Sequence, residues 1–295
     1  MPVKQCLSSR LLNKTFITRE IFSLDFSWSG DVPKAGQFFL VKPKRSSVFL
    51  GRPVSAALWQ KAIKDTGENR RRLRGKSAAH VEFMTNDTVR FLIAYRGKGI
   101  EELAKMQVGD EAELIGPLGN CWEDFVKPDK LIALIGGGIG VAPLLAFANE
   151  LKKYGEEPGQ IEGDYTYTPN YSFYAGFRSS SKKGELRFGI LDSAELYAGK
   201  LILATEDGSE GQKGRIPDFL DPAKYSAVCA CGPEPMLKAV AAKCKAAGTP
   251  CFISMEKHMA CGVGACLGCT VKTVNGNRRC CADGPIFNAE DVIFE

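Results

Sequence analysis

Apolar and polar residues alternate over short distances in the first 118 residues of the chain. The strand-like runs there are FITREIFSLDFSW, GQFFLVKP, HVEFMTN, TVRFLIAY and DEAELIGPLG, with glycine, proline and polar residues between them. Many short strands with such punctuation favour a small antiparallel barrel. The pattern therefore predicts a β-barrel domain over residues 1–125. The polar, aperiodic segment 60–76 is predicted to be a long hairpin loop inserted into that barrel.

The hydrophobic pattern changes near residue 130. A continuous apolar run, LIALI at 131–135, is typical of a strand buried in a parallel sheet. Further runs, YSFYAGF, KLILATE and SAVCAC, alternate with the helical patterns LLAFANELKKYG and MLKAVAAKCKAAG. This alternation predicts a doubly wound parallel sheet over residues 126–250, with ligands at the carboxyl ends of its strands. Residues 251–295 are predicted to form a small C-terminal domain, which begins with a strand and contains a hairpin across Asn275-Gly276.

Clustered cysteines mark the C-terminal segment. Cys261, Cys266 and Cys269 have the C-x4-C-x2-C spacing of a plant-type [2Fe–2S] loop, and a fourth cysteine follows at Cys280 or Cys281. A short loop can surround a cluster only if its backbone folds tightly, and three glycines stand between the first ligands. The spacing predicts a [2Fe–2S] cluster and leaves the choice of the fourth ligand open.

A glycine turn follows the first strand of the predicted parallel sheet. The sequence GGGIG at 136–140 leads into a helix with Pro143 in its first turn, as in the pyrophosphate-binding turn of dinucleotide sites. We expect Gly137, Gly138 and Gly140 to approach the nucleotide; the alternative is a glycine-rich packing turn. Cys231, Gly232 and Pro233 follow a later strand and are expected near the nicotinamide, although Cys231 is nearly as well explained as a buried structural cysteine.

Two motifs in the barrel are candidates for anion binding. The first is Arg52-Pro53-Val54-Ser55, in which an arginine beside a proline could meet a phosphate or flavin oxygen bidentately. The second is Gly97-Lys98-Gly99, which opens a helix predicted over 100–106 and could offer amides to a pyrophosphate. Each motif taken alone has a simpler explanation. Arg52-Pro53-Val54-Ser55 could be a surface arginine before a turn, and Gly97-Lys98-Gly99 could be an ordinary strand-to-helix turn.

The loop after the second strand of the parallel sheet bears on the choice between NAD and NADP. An acid at this position favours NAD, whereas arginine and serine favour the 2′-phosphate of NADP. Here the sequence is RSSSKK at 178–183, with no acid before Glu185. The loop therefore favours NADP, and a solvated loop of serine and lysine explains it equally well.

Composition narrows the class of protein only a little. Of the 295 residues, 44% are hydrophobic and 25% charged, and the net charge of +5 is too mild to indicate nucleic-acid binding. The basic run RRRLRGK at 70–76 is predicted to be a solvated loop. The chain shows neither an apolar leader nor a stretch of about 18 apolar residues, which favours a cytoplasmic protein without a membrane span. Eleven cysteines in such a chain favour metal binding over disulfides.

Together these motifs resemble the ferredoxin–NADP reductase superfamily and, within it, most closely the electron-transfer subunits of the NAD-linked class 1B dihydroorotate dehydrogenases. The resemblance covers nearly the whole chain. It is carried by MACGVGACLGC at 259–269, CADGPIF at 281–287, TEDGSEGQKG at 205–214 and ACGPEPML at 230–237. In that family the fourth cluster ligand precedes x-D-G-P, so the resemblance selects Cys281 over Cys280.

The resemblance implies three cofactors and a partner. A [2Fe–2S] cluster would be held by the four cysteines, NAD by the α/β domain, and FAD by the barrel. The partner implied is an FMN-containing subunit that oxidises dihydroorotate, and the flavin would turn two-electron into one-electron steps. The implied FAD contacts are Arg52, Pro53, Val54, Ser55, Leu92, Ile93, Ala94, Gly99 and Ile100.

The chain departs from that family in three ways. A Tyr-Arg pair usually stands where Ile93 and Ala94 align, and this chain has Tyr95-Arg96 instead; a threonine is usual at Ile100. Segments 60–76 and 157–170 are additional. Two other functions therefore stay open: a flavin and [2Fe–2S] reductase subunit for a ferredoxin- or sulfide-type partner, and a non-enzymatic iron–sulfur module. Relatives of the ferredoxin- or sulfide-type replace one cluster cysteine with aspartate, whereas this chain keeps cysteine at all four positions.

Overall fold

A computed structural model describes residues 5–62, 86–127, 130–152, 170–191 and 200–294. The predicted strand HVEFMTN, the basic run at 70–76 and nearly all of the two additional segments lie outside these ranges. The described residues form two compact units. One contains residues up to Pro33 and from Phe38 to Leu118, and the other contains Lys34–Gln37 and the chain from Gly119 onward. The division into three domains predicted from the sequence stays a prediction.

The first unit is a closed antiparallel barrel, as the strand pattern predicts. Its strands follow the order β1-β2-β5-β4-β3-β6, and β6 closes the barrel by pairing with β1. A short helix, α1 (Lys98–Lys105), lies between β5 and β6 in the sequence. The strands are β1 (Gln5–Phe16), β2 (Ile21–Ser27), β3 (Phe38–Pro43), β4 (Arg52–Gln60), β5 (Thr88–Ala94) and β6 (Glu111–Leu118).

The run at 16–28 contains a hairpin turn that the alternation of residues did not reveal. Thr18 makes the turn because its hydroxyl accepts the N–H groups of Glu20 and Ile21, at 3.1 and 3.0 Å. Beyond the turn, Phe22, Leu24 and Phe26 share the core face of β2 and are fully buried.

The barrel also buries one carboxylate. Asp25 is fully buried. Its carboxylate accepts hydrogen bonds from Nε and Nη2 of Arg90, at 2.6 and 3.1 Å, and from Nδ2 of Asn13 at 2.9 Å. This bidentate pairing compensates the charge that burial would otherwise penalise.

The second unit is built on a mainly parallel sheet, as predicted, with the strand order β10-β9-β8-β7-β11-β12-β15. Neighbouring strands are parallel from β10 to β12, and β15 adds to β12 in the antiparallel sense. Two helices, α2 (Val141–Lys152) and α3 (Glu234–Ala247), follow β7 and β11. The strands are β7 (Ile132–Gly137), β8 (Tyr171–Phe177), β9 (Lys200–Thr205), β10 (Gln212–Lys213), β11 (Ala227–Cys231), β12 (Cys251–Ser254) and β15 (Ile286–Asn288).

A hairpin, β13 (Thr270–Thr273) and β14 (Gly276–Arg279), follows the cysteine loop. Thr273 pairs with Gly276, so Val274 and Asn275 form the two-residue turn. The turn is therefore one residue earlier than predicted, because Gly276, with φ of +90°, is the first paired residue of β14. Among the described residues, no helix is long and apolar enough to cross a membrane.

Candidate cofactor sites

The cysteine loop turns tightly between the predicted cluster ligands. Gly262 and Gly264 have positive φ angles of 65° and 82°, a region that glycine enters without a steric penalty. A Cβ on Gly264 would lie 2.9 Å from the Cβ of Ala282, so only glycine lets the two halves of the loop meet here. Leu267 also has a positive φ, 58°, and its side chain is exposed.

Backbone N–H groups point at the sulfur atoms of this loop. Cys261 Sγ accepts from the amides of Val263 and Cys266, both at 3.4 Å, and Cys269 Sγ accepts from the amide of Cys281 at 3.4 Å. Partial burial raises the pKa of Cys261, but these N–H groups outweigh it and lower the pKa to about 6. Such donors stabilise thiolate, the form of cysteine that binds iron.

The four cysteine side chains influence one another. Burial raises the pKa of both Cys261 and Cys281, and neighbouring cysteines act on them as well: Cys266 on Cys261, and both Cys269 and Cys261 on Cys281. A [2Fe–2S] cluster needs two thiolates for each iron, which four cysteines supply. In the described part of the chain, no group of three or more histidine, cysteine or acidic side chains converges to hold a metal ion. The fit of the cysteines to a [2Fe–2S] cluster therefore rests on their number, spacing and chemistry.

Cys280 and Cys281 are both buried but have different partners. The Cys280 thiol donates to the carbonyl oxygen of Met255 at 3.0 Å, and burial raises its pKa to about 12. Cys281 is joined to Cys269, whose Sγ accepts the Cys281 amide at 3.4 Å. This arrangement supports Cys281 as the fourth ligand, an assignment that stays a prediction.

Sequence reasoning did not single out Arg279, which joins the two halves of the cysteine segment. Its Nε and Nη2 atoms donate to the carboxylate of Asp283 at 2.9 and 3.0 Å, and its Nη1 donates to the carbonyl of Gly264 at 3.4 Å. The guanidinium lowers the pKa of Asp283, and the carboxylate raises that of Arg279. The i, i+4 spacing of the two charges was the available signal.

In the barrel, Arg52 lies at the start of α1. Gly99 makes this possible, because a Cβ there would be 1.7 Å from Arg52 Nε. Gly97 precedes the helix with φ of +81°, open space beside it and no side chain capping the N-terminus. A cation above an uncapped helix start fits a diphosphate such as that of FAD.

The other predicted FAD contacts differ in what they expose. Pro53 is exposed, and Ser55 is half-buried. Val54 and Ile93 belong to the barrel core, and Ile100 packs against that core, so these positions would contact a flavin mainly through their backbone. Leu92 is buried and Ala94 is half-buried at the end of β5.

Tyr95 follows directly after β5 and leaves the barrel core. It is 47% exposed, lies edge-on to Phe22 and donates its amide to the carbonyl of Glu20 at 2.6 Å.

The glycine turn after β7 packs against the turn after β11. A Cβ on Gly140 would lie 2.4 Å from the carbonyl oxygen of Cys231, and one on Gly137 would lie 2.5 Å from Met236 Sδ. These two glycines therefore serve packing. Gly138 differs, since its φ is +56° and the space beside it is open, which suits close approach of a ligand.

The turn after β11 buries its cysteine. Cys231 is 2% exposed, and burial raises its pKa, so its thiol is neutral. Gly232, at φ of +155°, brings its backbone within reach of Gly137, and Pro233 precedes α3. This turn can offer backbone groups to a nicotinamide, and its thiol is not poised for nucleophilic chemistry.

Three serine hydroxyls at the carboxyl ends of β8 and β9 donate to carboxylates. Ser181 donates to Glu185 at 2.6 Å, and Ser209 donates to Asp207 at 2.6 Å. Ser180 donates to Glu210 at 2.9 Å and also lies 2.7 Å from a carbonyl oxygen. The sequence pattern at 178–183 suggested hydroxyls available to a phosphate, but these hydroxyl hydrogens are already engaged.

Glu210 joins the loops that follow β8 and β9. It is 9% exposed and also accepts the backbone N–H groups of Leu186 and Arg187, at 3.1 and 3.0 Å. Thr205 holds the backbone of Glu210, because its hydroxyl donates to the Glu210 carbonyl and accepts from the Glu210 amide. Sequence reasoning missed Glu210, since the groups that donate to its carboxylate stand more than twenty residues away.

Comparison with known proteins gives concordant matches. Residues 256–293 match the model of the iron–sulfur cluster binding domain of dihydroorotate dehydrogenase B. The chain is 40% identical, over 260 residues, to the dihydroorotate dehydrogenase B (NAD(+)) electron transfer subunit of Clostridium perfringens, covering 88% of this chain and 87% of the relative. The corresponding subunit of Caldanaerobacter subterraneus is 32% identical over 294 residues, covering 98% of both chains.

Solved structures agree on the fold. A chain of an NADH-dependent reduced ferredoxin–NADP oxidoreductase superposes with a TM-score of 0.73 at 24% identity, covering 97% of this chain and 90% of that one. A ferredoxin NADP+ reductase from Neisseria gonorrhoeae superposes with a TM-score of 0.58 at 18% identity, covering 82% and 92%. At these identities the likeness supports the architecture of barrel and parallel sheet.

Proposed function

The chain belongs to the family of dihydroorotate dehydrogenase B electron transfer subunits, and on that premise we propose that it carries electrons between NAD, FAD and a [2Fe–2S] cluster. The observation that carries the proposal is the cysteine loop, in which backbone N–H groups donate to the sulfurs of Cys261 and Cys269. Family membership favours this function over the two other functions that the sequence left open.

Each cofactor has residues suited to hold it. FAD, when bound, would exchange a hydride with the nicotinamide and single electrons with the cluster. Arg52 and the start of α1 would bind its diphosphate, and the four cysteines would bind the cluster as thiolates. The turn containing Gly138 would bind the dinucleotide beside the parallel sheet.

The proposed dinucleotide is NAD rather than NADP. The loops after β8 and β9 present the carboxylates of Glu185 and Asp207, and their serine hydroxyls already donate to carboxylates. A ribose 2′-hydroxyl can donate to a carboxylate, whereas a 2′-phosphate would be repelled by it. The exposed cations Arg178, Lys182 and Lys183 remain nearby and oppose this preference in part.

The proposed partner is an FMN-containing catalytic subunit that oxidises dihydroorotate in pyrimidine biosynthesis. This proposal follows from the names of the relatives, which are electron transfer subunits of dihydroorotate dehydrogenase B. We also propose a cytoplasmic location, because none of the eleven cysteines forms a disulfide, as is usual in a reducing compartment.

An anaerobic titration with NADH tests the proposed function. The purified protein, reconstituted with FAD, iron and sulfide, should lose its flavin absorption on addition of NADH and then develop the electron paramagnetic resonance signal of a reduced [2Fe–2S] cluster. Flavin bleaching without a cluster signal would contradict electron passage. A protein that binds neither cofactor would contradict the proposal as a whole.

A further inference from the structure

The cysteine segment consists of two parts that are separated in the sequence by a hairpin. Cys261, Cys266 and Cys269 lie in the first part, and Cys281 follows β14 in the second. A cluster that takes one ligand from the second part holds its shape only if the two parts keep a constant spacing. The backbone supplies a first kind of tie, from the amide of Cys280 to the carbonyl of Cys269 at 2.9 Å and from the amide of Cys281 to Cys269 Sγ at 3.4 Å.

Arg279 supplies a second tie through its side chain. The guanidinium donates to Gly264, between the first two cysteines, and to Asp283, two residues beyond Cys281. The backbone amide of Arg279 also donates to the Asp283 carboxylate at 2.7 Å, so the acid is held from two directions. One planar group thus spans both parts of the segment, a geometry that the guanidinium fork allows and an ammonium does not.

Arg279 also brings a positive charge to the cluster ligands. Besides its pair with Asp283, the guanidinium interacts electrostatically with Cys281 and Cys269. A thiolate-bound cluster becomes more negative when it is reduced. A nearby cation therefore stabilises the reduced form over the oxidised form, and charge near the sulfurs is one of the factors that set a cluster potential.

We propose that Arg279 is a positioning residue for the cluster: its fork holds the two ligand-bearing parts together, and its charge raises the reduction potential. The inference rests on the proposed function, since it concerns the same cluster. It assigns two separable effects to one side chain, because lysine keeps the charge but loses the fork, and glutamine loses the charge.

Three variants separate these effects. Arg279→Gln should release iron to a chelator at least fivefold faster than the native protein, and at a fixed solution potential its ratio of oxidised to reduced cluster should rise about tenfold, a shift of about 59 mV for one electron. Arg279→Lys should release iron faster as well, yet keep a potential close to the native one. Arg278→Gln is the matched control, because it removes an exposed neighbouring cation that makes no such bridge.

The outcomes distinguish this inference from the proposed function. If the native protein holds no [2Fe–2S] cluster, the proposed function fails and the inference fails with it. If the native protein holds the cluster and Arg279→Gln matches it in iron release and potential, the inference alone is overturned. Equal changes in Arg278→Gln and Arg279→Gln would likewise overturn it, because surface charge would then explain both. Arg279→Lys decides the role of the fork even if Arg279→Gln does not fold.

Discussion

The hydrogen bonds of the cysteine segment and those at the carboxyl edge of the parallel sheet join partners at different separations in the sequence. In the cysteine segment, the sulfurs receive N–H groups from residues two to twelve positions away. At the sheet edge, Ser180 and Leu186 donate to Glu210, which stands in the loop after the next strand. The first region is organised locally and the second through tertiary structure.

This difference explains why the two motifs carry unequal information. The C-x4-C-x2-C spacing predicts an iron–sulfur cluster from the sequence alone, since the ligands and their supporting amides belong to one loop. A serine-rich loop predicts only that hydroxyls are present. Whether Ser180 can receive a phosphate depends on the carboxylate of Glu210, which only the fold brings to it.

The largest effect is expected at the fourth ligand. Cys281→Ser should abolish most of the visible [2Fe–2S] absorption and stop reduction of the cluster by NADH, because one iron loses a thiolate. Cys280→Ser is the matched control and should keep the spectrum, since its thiol bonds to Met255. Visible spectra of the two reconstituted variants decide the matter. Loss of the cluster in Cys280→Ser alone would reverse the assignment.

The dinucleotide preference tests the sheet-edge side of the comparison. The double variant Glu185→Gln/Asp207→Asn should lower at least tenfold the ratio of kcat/KM for NADH to that for NADPH, because two charges that oppose a 2′-phosphate are removed. Calorimetric titration with 2′,5′-ADP and 5′-AMP measures the same preference without turnover, and the variant should gain affinity for 2′,5′-ADP.

Glu206 provides the control for that experiment. It is an exposed acid in the same loop, and Glu206→Gln should change the ratio by less than about threefold if the charges near Ser181 and Ser209 matter most. Tighter binding of 2′,5′-ADP than of 5′-AMP by the native protein would contradict the proposed preference for NAD.

A smaller effect is expected in the barrel. Gly99→Ala should weaken FAD binding about tenfold with little change in stability, because the new Cβ displaces only the mobile end of Arg52. Fluorescence titration of the flavin and thermal unfolding measure the two quantities. Gly109→Ala should lower the melting temperature, because Gly109 has a φ of +99°, yet leave FAD affinity unchanged, so it separates loss of stability from loss of FAD binding. An unaltered affinity in Gly99→Ala would remove Arg52 from the proposed FAD site.

The smallest effect concerns pH. Hydrogen bonds from Ser181 and Ser209 lower the pKa values of Glu185 and Asp207 below their ordinary 4.5 and 3.8. A lowered carboxyl pKa stabilises the folded form at higher pH, and that contribution is lost as pH falls through the folded-state value. The amides of Ser181 and Ser209 should thus keep their protection from hydrogen exchange at pH 5 and lose it only at a pH below the ordinary pKa of their partners, 4.5 for Glu185 and 3.8 for Asp207. Loss already at pH 6 would contradict the pairing.

The sequence predicted the architecture well where the hydrophobic pattern is regular. The barrel, the parallel sheet and its order of strands and helices follow from alternation and from apolar runs. It missed β15, because three residues after a proline carry no period, and it missed the hairpin turn that Thr18 builds within a run of alternating residues.

The candidate sites likewise contain residues that the sequence pattern predicted and residues that it missed. Spacing predicted the four cysteines, and the glycine turn was expected to bind a dinucleotide, although Gly137 and Gly140 also turn out to pack against the neighbouring turn. Glu210 and Arg279 were missed, because the contacts of Glu210 with Leu186 and of Arg279 with Gly264 join residues that are distant in the sequence.

Reconstitution with the catalytic subunit tests the central claim most directly. This chain, co-expressed with an FMN-containing dihydroorotate dehydrogenase B catalytic subunit, should purify as a complex carrying FMN, FAD and a [2Fe–2S] cluster, and the complex should reduce NAD+ with dihydroorotate. The same complex carrying Cys281→Ser should oxidise dihydroorotate with an artificial acceptor but form almost no NADH. Two results would contradict the claim that electrons pass through this chain. One is NADH formation by the catalytic subunit alone at the rate of the native complex. The other is NADH formation by the Cys281→Ser complex at that same rate.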